Sequence, residues 1–188
     1  MYYKRKEARG NSYTHLWDVS TERVYDGGFG LDKSNLPIDL KELPRGAILS
    51  VDLKERTARV IKTVELAEAL TAESTKVKIS KGSLVKTGDI LGVGDKSITV
   101  GVLDTSDVGF DSFEIEANAL GTAEINTVLS SYKDGKTIKA AGFNSRDVKL
   151  LGEDSVSVVY AVDKVESSRL PFPITESIIA NLKQCLIL

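Results

Sequence analysis

Reactive side chains are scarce in this chain: among 188 residues there is one cysteine and one histidine. Cys185 alone forms no intrachain disulfide and no cysteine-rich metal site, a usage that fits a reducing cytoplasm. A single histidine, His15, removes Ser-His and Cys-His nucleophile pairs and multi-histidine metal centres. Carboxylates and lysines remain for acid–base work, and they show no paired arrangement. The expectation is therefore that the protein is no enzyme and uses no cofactor or metal. No stretch approaches the roughly 18 consecutive apolar residues of a membrane span. The basic first ten residues are not followed by an apolar run of signal-peptide length, so neither a membrane segment nor an export signal is expected. Strong net charge is also lacking: at −2 the chain has no overall pull toward nucleic acid or anionic lipid.

What the chain does have is β-type patterning. Residues 76–103 alternate short runs (Val77-Lys78-Ile79, Ile90-Leu91, Ile98-Thr99-Val100) with closely spaced glycines, which predicts a compact meander of strands. Upstream, Ala47–Val51 and Thr57–Val64 around the polar turn at Lys54-Glu55-Arg56 predict a hairpin. The Ala, Glu and Leu content of Val64–Leu70 favours a short helix. Downstream, 113–117 and 122–129 are strand candidates, Asp134-Gly135 is a hairpin turn signal, and Val156–Val162 is the cleanest single strand. The fold class expected is mainly β: a compact barrel-like or sandwich-like domain over residues 36–168, with a possible division into two small subdomains near residue 130.

The two ends differ from this middle. Residues 1–35 hold half of the chain's aromatics, Tyr2, Tyr3, Tyr13, Trp17, Tyr25 and Phe29, with Lys4, Arg5, Lys6 and Arg9 among them. They follow no sustained period, so they read as an extended arm that lies either on its own domain or against a partner. Residues 169–188 begin with Leu170-Pro171-Phe172-Pro173, which forces an extended path. From Thr175, a fitting N-cap, Ile178, Ile179, Leu182, Cys185 and Leu186 recur at helical spacing. That predicts a terminal helix whose apolar stripe docks within the subunit or between copies.

Three local patterns point toward chemistry, and each has a blander reading. Residues 88–97 echo a phosphate-binding loop, but Asp95 breaks the Gly-Lys-Ser tandem and puts a carboxylate where phosphate needs N–H groups. Asp104, Asp107 and Asp111 lack the spacing of a calcium loop and read as solvated turns. Lys4, Arg5, Lys6 and Arg9 beside Tyr2 and Tyr3 make only a small nucleic-acid footprint, and an acidic protein surface suits them equally.

Two resemblances bear on function. Val85–Leu91 followed by Asp95-Lys96-Ser97 resembles the lipoyl and biotinyl carrier pattern, which implies Lys96 as the modified residue. The interval between Gly88 and Asp95 is shorter than in those carriers, and no second, symmetry-related half is present. The broader resemblance, over residues 36–130, rests on Leu43-Pro44-Arg45-Gly46, then Gly82–Leu91, then Thr99–Asp104. In this order they resemble the head decoration and head fibre proteins of tailed bacteriophages. That resemblance implies a structural virion protein, made in the host bacterial cytoplasm, that binds the major capsid protein on the outer capsid surface as a homotrimer. It implies Tyr2, Tyr3, Lys4, Arg5, Tyr13, Trp17, Tyr25 and Phe29 as capsid-binding arm, and Ile178, Ile179, Leu182, Cys185 and Leu186 as the oligomer seam. A generic β-rich ligand-binding module is the remaining alternative.

Overall fold

The computed structural model describes residues 16–188, and they fold as a mainly β protein with one short α-helix. The described chain divides into two units: one takes residues 16–61 and Lys139–Leu188, the other Lys62–Ile138. The second unit is thus an insertion in the first, whereas the sequence suggested consecutive pieces dividing near residue 130. None of the sheets closes into a barrel.

The first unit is built on one sheet of eight strands. Across it run Arg23–Val24, Val158–Val165, Gly142–Asn144, Ile48–Asp52, Thr57–Val60, Phe29–Leu31 and Ser155–Val156. Along this path neighbours are antiparallel except for Phe29–Leu31 beside Thr57–Val60; the eighth strand, Cys185–Ile187, pairs parallel with Val158–Val165. The expected hairpin forms: Ile48–Asp52 pairs with Thr57–Val60, and Asp52 Oδ1 accepts from the N–H groups of Lys54 and Glu55 at 2.9 and 3.0 Å to close the turn. Alternate residues Ala58 and Val60 point inward, as a half-buried strand requires. The strand stops at Val60, and Thr63–Glu65 opens a new strand in the second unit. Phe29, Leu43, Ile48, Leu49 and Phe143 are fully buried and form the heart of this core.

Two expectations about the chain ends are corrected here. Of the arm read over residues 1–35, the described part from residue 16 belongs to the fold: Leu16, Trp17 and Phe29 are buried, and Phe29–Leu31 is an interior strand of the sheet. The helix read from Thr175 to the end spans only Glu176–Asn181; Thr175 caps it as expected, accepting from Ile178 N–H at 3.2 Å. Cys185–Ile187 then forms a parallel strand on Val158–Val165. Six helical residues are marginal on their own, and ladder hydrogen bonds to an existing strand outcompete a further turn.

The second unit has its own core, which includes Val64, Leu66, Ile79, Leu91, Phe113 and Leu129. Val128–Lys133 is its central strand, flanked by Ile90–Val93 on one side and by Thr63–Glu65 and Lys136–Thr137 on the other. The turn to Lys136–Thr137 uses Asp134 and Gly135, both at positive φ (51° and 76°), the two-residue hairpin that the Asp-Gly pair signals. The meander read over 76–103 is only partly continuous. Ile90–Val93 and Lys96–Thr99 form a hairpin, but Lys76–Ser80 pairs with Phe110–Glu114. The helix expected over Val64–Leu70 is absent: Leu66 and Leu70 bridge to Ile79 and Ala123 in extended backbone. Burying Val64, Leu66 and Leu70 among strands overrides their helical propensity.

One buried ion pair sits in this unit. Lys62, 2% exposed, places its Nζ 2.5 Å from Asp89 Oδ2. The same oxygen accepts from Lys86 N–H at 2.7 Å and so fastens the Lys86–Asp89 turn.

Candidate functional site

The loop Leu43-Pro44-Arg45-Gly46 organises one end of the first unit. Gly46 adopts φ +84°, and a Cβ there would stand 2.6 Å from Leu16 Cδ1 and 3.0 Å from Pro171 Cδ. Only glycine fits a left-handed residue over which two other segments cross. Asn144 locks the loop: its backbone exchanges 2.8 Å hydrogen bonds with Gly46 and Ala47, and its Nδ2 donates to the carbonyl of Pro44 at 3.1 Å. Arg45 N–H donates to Asp147 Oδ1 at 2.7 Å.

Held this way, Arg45 reaches the start of the described chain. Its Nη2 lies 2.5 Å from Glu22 Oε1, and its guanidinium stacks 4.6 Å from the centroid of the Trp17 ring. Trp17 Nε1 donates to the same Glu22 oxygen at 2.5 Å, and the indole packs on Phe143 with centroids 5.6 Å apart. Trp17 is 2% exposed, so residues 16–22 are fastened to the unit by an aromatic plug and a shielded ion pair.

The last residue of the chain arrives at the same place. Glu166 N–H donates to the Leu16 carbonyl at 3.1 Å, Leu188 N–H donates to the Val165 carbonyl at 2.8 Å, and Ser167 N–H donates to Leu188 at 3.0 Å. Residues 16 and 188 are therefore both bonded to the stretch 165–167. Leu186, on the strand that ends here, and Leu188, just after it, are exposed at 54% and 64%, and Ile179 on the preceding helix is exposed at 37%.

Among the residues expected to form a capsid-binding arm, Tyr2, Tyr3, Lys4, Arg5 and Tyr13 lie outside the described residues. Trp17 and Phe29 are buried in the fold, and Tyr25 is half-buried against it. Tyr25 packs on Phe29 and Tyr160 at 5.7 and 4.6 Å. Phe29 carries the Arg56 guanidinium 4.2 Å from its ring, and Arg56 Nη2 donates to the carbonyls of Asp26, Gly27 and Gly28. The expected seam also divides. Ile178, Leu182 and Cys185 are buried within the first unit, while Ile179 and Leu186 face outward. Burial pushes the Cys185 thiol up to about 11, so it stays protonated and unreactive near neutral pH.

The carboxylates of the candidate calcium loop each have a local partner. Asp104 Oδ1 accepts from Ser106, which holds its carboxyl below the usual range, and Asp107 Oδ1 accepts from Gly109 N–H. Asp111 is buried against Lys81 Nζ at 2.6 Å. No group of three or more metal-ligating side chains occurs among the described residues. Lys96 is the first residue of the returning hairpin strand, and its Nζ lies over Gly121. No helix among the described residues is long and apolar enough to cross a membrane.

A second surface feature went unread in the sequence. Leu36, Pro37, Ile38 and Leu40, with Leu150 and Leu151, line an open cleft of about 910 Å³. Ile38 and Leu151 are almost fully solvent-exposed. Its only sequence signal was the run Leu36-Pro37-Ile38, an apolar stretch that proline keeps out of regular structure. Comparison with protein-family models, with curated proteins and with solved structures returned no match.

Proposed function

We propose that this chain is a structural attachment protein, a head decoration or head fibre subunit of a tailed bacteriophage, bound to the major capsid protein on the outer capsid surface. The observation that carries this reading is the meeting of residues 16 and 188 on the stretch 165–167. Residue 16, the first of the described residues, is thereby held on the same stretch as the exposed Leu188. Tyrosines with interspersed cations suit a desolvating contact with a protein surface. The plug formed by Trp17, Arg45 and Glu22 transmits that hold to the domain.

The subunit assembles as a homotrimer, in which Ile179, Leu186 and Leu188 supply the apolar contact that Ile178, Leu182 and Cys185 cannot. Several linked arms on a repeating shell convert modest single contacts into avidity. Light scattering on the purified protein is expected to return three times the mass of one chain; a monomer at micromolar concentration contradicts the trimer. For attachment, purified protein mixed with phage heads stripped of surface proteins is expected to sediment with them at a fixed saturating ratio. A chain that stays in the supernatant contradicts the reading.

A further inference from the structure

We infer that residues 62–138 are a self-standing module, inserted at a point where the first unit closes without it, and that attachment does not require them. The second half of this inference rests on the attachment reading above; the first half does not.

The hydrogen bonds at the junctions carry the argument. Inside the second unit, Ser131 N–H donates to the carbonyl of Lys62 at 2.8 Å, and Ile138 N–H donates to the carbonyl of Ser131 at 3.1 Å. The first and last residues of the insertion thus abut on one residue of its central strand. Thr63–Glu65 and Lys136–Thr137 follow end to end along the same edge of Val128–Lys133. The module has closed its own ladder before the chain leaves it.

The first unit is sealed in the same manner. Ile61 N–H donates to the carbonyl of Ile48 at 2.9 Å, and Ala141 N–H donates to the carbonyl of Leu49 at 2.8 Å. The strands that lead out and back, Thr57–Val60 and Gly142–Asn144, flank the single strand Ile48–Asp52. Two inter-strand spacings separate them, about 10 Å. Both are antiparallel to Ile48–Asp52 and so parallel to each other, and a linker that crosses the face of that strand needs roughly a dozen residues. Ends this close are the geometry in which a domain can be inserted into another without disturbing it.

The module also has its own apolar cluster and its own buried ion pair, Lys62 with Asp89. Everything the attachment reading uses lies outside it: Trp17, Glu22, Arg45, the stretch 165–167 and Leu188. On the attachment reading the inserted module is carried by the anchoring unit and takes no part in its hold.

The test compares the full chain, a variant with Ile61 joined to Lys139 through about twelve Gly/Ser residues, and the excised module Lys62–Ile138. The shortened variant is expected to unfold cooperatively by the fluorescence of Trp17, the only tryptophan in the chain. It is expected to sediment with stripped heads at the full chain's saturating ratio. The excised module is expected to give a dispersed amide spectrum and to remain in the supernatant. An unfolded shortened variant or an unfolded module overturns the inference. So does a folded shortened variant whose affinity for heads falls more than about tenfold below the full chain's. If the full chain itself does not sediment, the attachment reading fails, and the two folding measurements still decide the modular half.

Discussion

In Asp89→Ala the second unit loses about 3–5 kcal/mol of stability, the usual cost of removing one partner from a buried pair. The loss arises because the Lys62 ammonium, 2% exposed, keeps its burial and loses its carboxylate. Removing Asp89 also frees the Lys86 N–H it accepts from, so the Lys86–Asp89 turn loosens with it. Amide exchange across residues 62–138 is expected to accelerate throughout, whereas the Trp17 transition of the first unit stays in place. The double change Lys62→Met with Asp89→Leu recovers most of the loss, because an apolar pair carries no desolvation penalty. A single-variant loss under about 1 kcal/mol is the value of a solvent-screened pair and contradicts the burial described.

Trp17→Ala acts on the other unit. It removes a large ring from contact with Phe143 and costs about 3–5 kcal/mol, as truncations of buried aromatics do. It also strips the Arg45 guanidinium of its stacking face and Glu22 of the indole donor. Far-ultraviolet dichroism is expected to show the first unit melting early, with exchange protection in 62–138 retained. Trp17→Phe keeps the packing, loses the hydrogen bond to Glu22, and is expected to cost about 1–3 kcal/mol. If Trp17→Ala leaves the first unit's stability unchanged, the indole is not the plug that fastens the entering chain.

The β character was readable because it is written locally. The hairpin at residues 48–60, the Asp134-Gly135 turn and the strand around Val158 each follow from side-chain alternation or turn chemistry within a few residues. The integration of residues 16–35 was not readable. Trp17 and Phe29 are buried by Phe143, Arg45 and Arg56, and no local period records such distant partners. The end of the chain failed for a related reason. Leu182, Cys185 and Leu186 fit a helical stripe in one dimension, yet Val158–Val165 supplies a strand edge that only the folded sheet presents. The Leu43–Gly46 loop carries a legible turn motif, but its work as the crossing point of Leu16 and Pro171 appears only in three dimensions. Insertion of one unit in another is likewise a non-local fact, fixed by bonds that join residue 61 to 48 and residue 141 to 49.

On the proposed reading, residues 1–15 grip the capsid while residue 16 onward supplies the preformed fold. Removing those fifteen residues and repeating the sedimentation with stripped heads measures this directly. The truncated chain is expected to keep the Trp17 unfolding transition of the full chain and to remain in the supernatant. A truncated chain that still saturates heads at the full chain's ratio would contradict the account.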